Sequence, residues 1–384
     1  VTAQRLRPRE MHMRRHWSIN GRFLTQSLTG VQRYAHEILH ALDALLNQGH
    51  PLTRDLEIEL LVPPGTAVPP LHAIHHRSVG RVNGHLWEQT VLPYQTRGAL
   101  ISLCNTGPLS QRKHIVCIHD LNTRTCPHSY SPRFRAVYRI LLPLLGRSAT
   151  TIGTVSFHSA SELIRYQICD REKIRLMPNG YEHTLRWTPR HSESTRAAAG
   201  RNTIVILGNP APHKNIALII GIANRLESAG LRIAVVGLGN SRVFNAGAFD
   251  PDADNIMWLG RLSDNELGAL LLDSLCLAFP SFVEGFGLPP LEAMALGCPV
   301  VVSNRASLPE ICGKAALYAS PTNADDWFHH FVRLRADEHL RAALIKNGRE
   351  RAPLFSWQKS AEKYLIAMAR LDGIGAPADD AAPN

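Results

Sequence analysis

The 384-residue chain contains no C-x-x-C pair, and its seven cysteines (Cys104, Cys117, Cys126, Cys169, Cys276, Cys298 and Cys312) are odd in number and scattered. That pattern argues against a zinc site and against a disulfide framework. Several of the thiols sit in apolar segments, where cysteine packs as a small hydrophobe, and a reducing cytoplasm fits best. No apolar run approaches the roughly 18 uninterrupted residues of a membrane helix. No short-period repeat is present, and no D-x-D pair stands at a strand end to hold a divalent metal. The third glycine of a dinucleotide fingerprint is also missing. Val235-Val-Gly-Leu-Gly-Asn240 offers a bare G-x-G after a strand, with no acid placed after the next strand, and reads as a tight strand-to-loop turn.

What is present is an ordinary soluble balance, 45% hydrophobic and 19% charged. The length exceeds one comfortable core, so two domains are expected. A net charge of +10 points to anionic partners, among which nucleic acid, anionic lipid and diphosphate substrates all qualify. Residues 1–16 carry Arg5, Arg7, Arg9, Arg14 and Arg15 with no following apolar core or cleavage site. They read as a disordered basic arm rather than a secretory signal; extra residues ahead of a start at Met11 or Met13 are the alternative.

Strand-like segments at 17–20, 57–62, 100–104, 114–118, 151–155 and 174–177 alternate with helical patterns, of which the one opening at Gly30 is amphipathic. Such alternation predicts a mostly parallel sheet covered on both faces over residues 17–185. The polar stretch 186–200 reads as a linker. A second doubly wound unit follows over 201–355, with strands at 203–207, 232–236, 256–259, 275–278 and 299–302 and helices at 214–229, 263–272, 289–296 and 324–348. Residues 356–375 form a final helix expected to pack back toward the N-terminal domain, and 376–384 read as a disordered tail. The fold class is therefore α/β, two facing Rossmann-like domains with an interdomain cleft, since ligands of such sheets bind beyond the carboxyl ends of the strands.

The most informative stretch is Glu284-Gly-Phe-Gly-Leu-Pro-Pro-Leu-Glu292-Ala-Met-Ala-Leu-Gly297. Two carboxylates flank a Gly-X-Gly turn after a strand. Pro289 and Pro290 open a short helix, because proline is tolerated where backbone N–H groups lack intrahelical partners. Free amides and the positive dipole end at that position attract a phosphate, while carboxylates accept hydrogen bonds from adjacent sugar hydroxyls. Both capacities together fit a sugar nucleotide.

Other positions could share that chemistry. Lys214, in Gly208-Asn-Pro-Ala-Pro-His-Lys214-Asn215, follows the first strand of the second unit, and its ammonium suits a departing diphosphate; His213 beside it either helps or only caps. Gly30, with Arg33 one turn on, opens the first helix and lets backbone amides approach a phosphate. His119, before Asp120, follows the strand at 114–118 and can donate to a substrate hydroxyl. The remaining histidines read as surface or packing residues. The basic, aromatic and apolar segment 131–147 is either an interfacial helix on anionic lipid or a core helix with arginines at its edge; the core helix is the expectation.

From about Ile19 to Leu365 the chain resembles the GT4 family of retaining glycosyltransferases, of GT-B architecture, and within it the bacterial mannosyltransferases of surface polysaccharides. The most specific part, Pro280-Ser-Phe-Val-Glu284-Gly-Phe-Gly-Leu-Pro-Pro-Leu-Glu292, is similar to the family's E-x7-E signature. Thr29-Gly30-Val-Gln-Arg-Tyr, Ile118-His119-Asp120-Leu, Thr154-Val-Ser-Phe-His-Ser159, Met177-Pro-Asn-Gly180 and Leu308-Pro-Glu310 also match. The resemblance implies that Glu284 holds donor-sugar hydroxyls, that Glu292 binds the ribose, and that the amides of Gly285, Phe286, Gly287 and Leu288 line the sugar and phosphate site. Lys214 would bind the diphosphate with Gly30 opposite, His119 would contact the sugar, and the base would rest near Arg261 and Leu262. Where many members carry a clamp arginine, this chain has Asn209, which supplies neither the charge nor the fork of a guanidinium.

The resemblance implies transfer of mannose from GDP-mannose to an acceptor hydroxyl with retention, and no cofactor or metal. It implies a glycan or lipid-linked acceptor, no nucleic acid, and a cytoplasmic enzyme in peripheral contact with the anionic inner membrane. Two alternatives stand beside it: a non-catalytic scaffold of the same fold, motivated by Asn209, and an NAD-dependent oxidoreductase, motivated by Gly237 and Gly239.

Overall fold

The computed structural model describes residues 14–208, 211–237, 253–375 and 377. Two parallel sheets form its framework. The first runs in the order β3-β2-β1-β4-β5-β6-β7, built from β1 (Arg15–Asn20), β2 (Leu56–Val62), β3 (His75–Ser78), β4 (Ala99–Ser102), β5 (His114–Cys117), β6 (Thr151–Thr154) and β7 (Ile174–Leu176). The second runs β10-β9-β8-β11-β12-β13, from β8 (Gly200–Leu207), β9 (Arg232–Val236), β10 (Ile256–Gly260), β11 (Ser274–Phe279), β12 (Val300–Ser303) and β13 (Ala316–Ala319). Strands β4, β5, β6, β11 and β12 are buried at every position. Helices cover both faces of a parallel sheet, which is why these strands are mainly apolar, with a few buried polar residues such as His114 and Thr154.

The helices used below are α1 (Gly30–Asn47), α2 (Pro132–Ser148), α3 (Phe157–Arg165), α4 (Glu193–Ala198), α5 (Asp264–Leu272), α6 (Leu288–Leu296), α7 (Leu308–Cys312) and α8 (Trp357–Leu371). The chain packs as two compact units. One holds residues up to 116 with 148–151 and the segment after 360; the other holds 117–147 and 152–360. In the first, Asp372 accepts from Arg15 Nε at 2.7 Å, Trp17 Nε1 at 3.0 Å and Lys113 Nζ at 2.5 Å, and the Tyr34 and Tyr364 hydroxyls meet at 3.0 Å. In the second, Ile204, Ile206, Ile233 and Val235 of the sheet pack against Ile219, Leu226, Trp327 and Phe331.

Several local expectations are corrected. Edge strand β3 reads His-His-Arg-Ser and is largely exposed; an edge strand needs no apolar face, so hydrophobic patterning does not show it. Strand β13, at the other sheet's edge, also lies outside the expected set. The stretch 186–200 is not a bare linker. Ser192 and Thr195 form a capping box that starts α4, Thr188 and Arg190 bond Asn265, and β8 already begins at Gly200.

The helix expected over 214–229 is broken into Ala217–Ile220 and Ala223–Ser228. Lys214 sits in a 3₁₀ turn ended by Asn215 at φ 54°, a left-handed conformation that asparagine tolerates. The Asn215 side chain fixes it by donating to the carbonyls of Pro280 and Pro321 at 3.1 and 2.7 Å. The helix expected over 324–348 is two helices, Ala324–Ala336 and Glu338–Arg351, because Asp337 leaves helical geometry to cap Leu340 N.

Helix α2 buries only Leu142, Leu145 and Gly146. The expected core helix is in fact a largely exposed one, with most of its apolar side chains facing solvent. The fingerprint-like Gly237 has φ 105° and donates to Gly260 O at 2.6 Å, as a tight strand exit requires; Leu238, Gly239 and Asn240 lie outside the described residues, as do the basic arm through Met13 and the tail from 378.

Candidate active site

Glu284 lies just beyond β11, in the loop that leads to α6. Its carboxylate is almost fully buried and accepts from Lys214 Nζ at both oxygens, 2.8 and 3.0 Å. Lys214 reaches it from the loop after β8, with its ammonium 5.6 Å from the centre of the Phe279 ring. The two residues expected to hold sugar and diphosphate are thus each other's ion-pair partner at the carboxyl ends of adjacent strands.

The backbone after Glu284 is held from two sides. Ser307 Oγ lies within hydrogen-bond distance of Glu284 O and Phe286 O, at 3.0 and 2.7 Å, and Gly285 O accepts from Ser156 Oγ and Ser159 Oγ at 2.6 and 3.1 Å. Gly285 lies against the loop after β5. A side chain there would overlap His119 O and approach Asp120 Cβ to 3.1 Å. Gly287, at φ 105°, caps α6 without any side-chain hydrogen bond to the helix amides. Prolines at 289 and 290 have no N–H, and Leu291 N bonds Gly287 O. The anion-attracting amides of this helix end are therefore concentrated at Gly287 and Leu288.

His119 is buried, and its carbonyl oxygen lies 2.8 Å from Ser159 Oγ, nearer than Gly285 O, so the one Ser159 hydroxyl proton is shared between the two carbonyls. Asp120 stands beside it, bonded to Asn122 N at 2.9 Å. Burial raises the Asp120 carboxyl above its ordinary range; the Asn122 amide opposes this, the Glu284 charge adds to it, and Lys214 works against it. The His213 imidazole is held low by burial first, then by the Lys214 charge, against Glu284. It meets Ser129 Oγ at 2.9 Å through Nδ1 and stacks on Tyr130, so it serves the packing of this loop.

Glu292 is on the inner face of α6. Its Oε1 lies 2.8 Å from His183 Nε2, and His183 Nδ1 lies 3.0 Å from Trp357 Nε1. An indole N–H can only donate. His183 Nδ1 is therefore the acceptor, and Nε2 carries the proton given to Glu292. Glu310 of α7 accepts from the Phe157 and His158 amides at 2.9 and 3.2 Å, supplementing Ser156 as the cap of α3.

The structure brings Lys214, Glu284, Gly285 and the His119–Asp120 loop together. Glu292, Phe286, Gly287 and Leu288 follow on the same loop and helix. Arg261 is exposed and Leu262 half-buried, directly after β10. Gly30 is the first residue of α1 in the other unit, where a Cβ would meet nothing, and the Thr29 side chain does not cap that helix. Asn209 lies outside the described residues. Asp120, Ser307 and His183 were not singled out from the sequence. Asp120 lies inside a matched motif and Ser307 directly before one; nothing in the sequence pattern marks His183.

The family described as "Glycosyl transferases group 1" matches residues 188–351. The chain is 29% identical to the O-antigen chain mannosyltransferase B of Escherichia coli over 68% of this chain and 71% of that one. It is 26% identical to the O-antigen chain mannosyltransferase RfbU of Salmonella typhimurium, covering 56% and 59%. It is 30% identical to the MMP alpha-(1->4)-mannosyltransferase of Mycolicibacterium hassiacum, covering 59% and 56%. The chain thus spans under two thirds of the latter two. Its fold matches sucrose-phosphate synthase from Thermosynechococcus elongatus with a TM-score of 0.69 at 17% identity, over 94% of this chain and 100% of that one. It also matches WaaG, a glycosyltransferase involved in lipopolysaccharide biosynthesis, with a TM-score of 0.67 at 16% identity, over 92% and 99%.

Proposed function

The chain is a group 1 glycosyltransferase, and we propose that it transfers mannose from GDP-mannose to a hydroxyl of a lipid-linked glycan in bacterial surface polysaccharide synthesis. Transfer proceeds with retention and needs no metal ion. The similarity to two O-antigen chain mannosyltransferases supports mannose as the sugar and a surface polysaccharide as the product. The observation that carries the chemistry is the Lys214–Glu284 pair beside the open amides of α6.

In this reading the bond from sugar C1 to the diphosphate oxygen breaks as the acceptor oxygen bonds C1 on the same face, and the departing phosphate oxygen takes the acceptor proton. The growing charge on the diphosphate meets the Lys214 ammonium and the Gly287 and Leu288 amides, fixed before the reaction begins. That positive charge is the reason a metal is dispensable. Glu284 accepts from donor hydroxyls through lone pairs that Lys214 leaves open. Its carboxylate is locked in orientation by the lysine, so it positions the sugar and is not a covalent nucleophile. His119 and Asp120 bound the sugar from the facing loop, and Glu292 takes the ribose hydroxyls.

Thermal stabilisation by a panel of nucleotides and nucleotide sugars tests the donor. GDP and GDP-mannose should raise the melting temperature more than UDP and UDP-glucose; a preference for the uridine compounds would overturn the GDP-mannose reading. Activity should persist in excess EDTA, and a strict Mg²⁺ requirement would contradict the metal-free mechanism.

A further inference from the structure

The strand order of the first sheet reverses between β1 and β4. Open parallel sheets bind ligands beyond the carboxyl ends of their strands at such a reversal. The proposed donor groups Lys214, Glu284, His119, Asp120 and Glu292 all belong to the other unit, so the donor chemistry leaves this crevice unused. A buried polar cluster stands at it. Asn20 ends β1 and Ser102 ends β4, and Asn20 Nδ2 donates to Ser102 Oγ at 3.2 Å and to Glu88 Oε1 at 2.7 Å. Arg22 Nε and Thr106 Oγ1 donate to the same carboxylate oxygen, each at 3.1 Å, and Arg22 Nη2 donates to Thr106 Oγ1 at 2.6 Å. Glu88, Arg22, Asn20 and Thr106 are all buried.

The other oxygen of Glu88 turns outward. Oε2 lies 3.3 Å from Nδ1 of His85, one turn back on the short helix Gly84–Thr90. The His85 side chain is 56% exposed. Burial works to raise the Glu88 carboxyl, but the His85 hydrogen bond, the Arg22 charge and the Asn20 amide outweigh it and hold the carboxyl below its ordinary range. An ionised carboxylate only accepts, so His85 Nδ1 carries the proton of the neutral ring and Nε2 presents a lone pair. Among the described residues nothing bonds that nitrogen. The helix itself is tied down, since Gln89 Nε2 donates to Gly107 O at 2.9 Å and Gln89 Oε1 accepts from Leu109 N at 3.1 Å, both in the loop after β4.

A histidine that merely covers surface needs no buried carboxylate behind it. Here three donors fix Glu88 through one oxygen, and its other oxygen fixes the tautomer and direction of an exposed imidazole, as the carboxylate of a catalytic triad does. The Nε2 lone pair calls for a hydrogen-bond donor, which a sugar hydroxyl supplies. An ionised phosphate or carboxylate supplies none, and the Arg22 charge is already balanced by Glu88.

We infer that His85 accepts a hydrogen bond from a hydroxyl of the acceptor sugar, with Glu88 as the positioning residue that sets its tautomer. His85 orients the acceptor and takes no proton, which goes to the departing phosphate. The inference rests on the glycan acceptor of the proposed function. Its test is transfer kinetics with GDP-mannose and lipid-linked glycan extracted from membranes, on the wild type, His85→Phe, His85→Gln and Glu88→Gln. His85→Phe should lower kcat/KM for the glycan by about tenfold, with the donor KM, GDP affinity and melting temperature close to wild type. His85→Gln, whose amide oxygen can stand near the place of Nε2, should recover most of the loss. Glu88→Gln turns an N–H toward Nδ1, moves the ring proton to Nε2 and should repeat the loss; should that buried variant fail to fold, the two variants of exposed His85 decide. Undiminished kcat/KM for the glycan in His85→Phe, equal losses in His85→Phe and His85→Gln, or a matching loss of GDP affinity would overturn the inference and leave the proposed function standing. A wild type that uses another nucleotide sugar removes only the GDP-mannose reading, and the same comparison is made with that donor. A wild type that transfers nothing to the glycan contradicts the proposed acceptor, and the inference falls with it.

Discussion

Lys214 donates to both carboxylate oxygens of Glu284, at 2.8 and 3.0 Å, so the proposed phosphate ligand and the proposed sugar ligand hold each other in place. Each fixes the other's rotamer, and neither has to be ordered by the substrate. A double-mutant cycle exposes that coupling. Lys214→Ala and Glu284→Ala should each lower kcat/KM by roughly 10²-fold or more, with the double variant far less impaired than the product of the two, because groups acting as a unit are not additive. Multiplicative losses would show that the residues act independently.

The His183 proton shared with Glu292 separates structure from binding. Glu292→Gln keeps an oxygen that can accept from His183 Nε2 but removes the charge that would hold ribose hydroxyls. Its melting temperature should stay near wild type while KM for the donor rises. Glu292→Ala leaves a buried N–H unsatisfied and should cost about 1–3 kcal/mol of stability in addition. If Glu292→Gln leaves KM unchanged, the residue is a strut for His183 and Trp357 and not a ribose ligand.

Gly285 has no room for a methyl group. The added carbon would overlap the His119 carbonyl oxygen and press on Asp120 Cβ. Gly285→Ala should therefore destabilise by about 1–3 kcal/mol, the usual range for overpacking, and should lower kcat by displacing Glu284 and the His119 loop together. A variant with wild-type melting and turnover would mean the two loops are not in contact as described.

The acid limb of stability should carry a signature from His114. Burial holds this imidazole at about 3 instead of 6.5, with Glu88 pulling the other way. Its Nε2 meets Ser102 Oγ at 2.9 Å, and its Nδ1 is buried without a partner. Below 6.5 the unfolded chain takes up a proton that the folded chain refuses until about 3. The stability tied to the neutral ring is thus complete above the unfolded value and is lost as pH falls, at about 1.4 kcal/mol per pH unit. His114→Gln should flatten the unfolding free energy between those limits, as chemical denaturation at stepped pH would show; an unchanged slope would place the acid sensitivity elsewhere.

Much of this could be read from the residues alone because the physics is local. The buried strands are mainly apolar or small, so β4, β5, β6, β11 and β12 stood out, and Pro289, Pro290 and Gly297 bracket α6 as expected. Lys214, Glu284 and His119 were legible as strand-end residues. Their mutual arrangement was not, because the ion pair joins positions 70 residues apart and depends on Asn215 breaking the expected helix. His183 and Trp357 were hidden for the same reason. Strand β3 escaped because it is a largely exposed edge strand with no apolar pattern, tied to β2 by the backbone and by Arg77 on Glu59. Helix α2 was misjudged because an amphipathic pattern shows that an apolar face exists but not what covers it.

The most direct test is a transfer assay with radiolabelled GDP-mannose, purified wild-type protein and Glu284→Ala, in the presence of lipid-linked glycan extracted from membranes. The account predicts label appearing in the lipid fraction with the wild type, a loss of roughly 10²-fold or more in the variant, and matching melting curves for both within a few degrees. Near-wild-type transfer by a folded Glu284→Ala protein would contradict it.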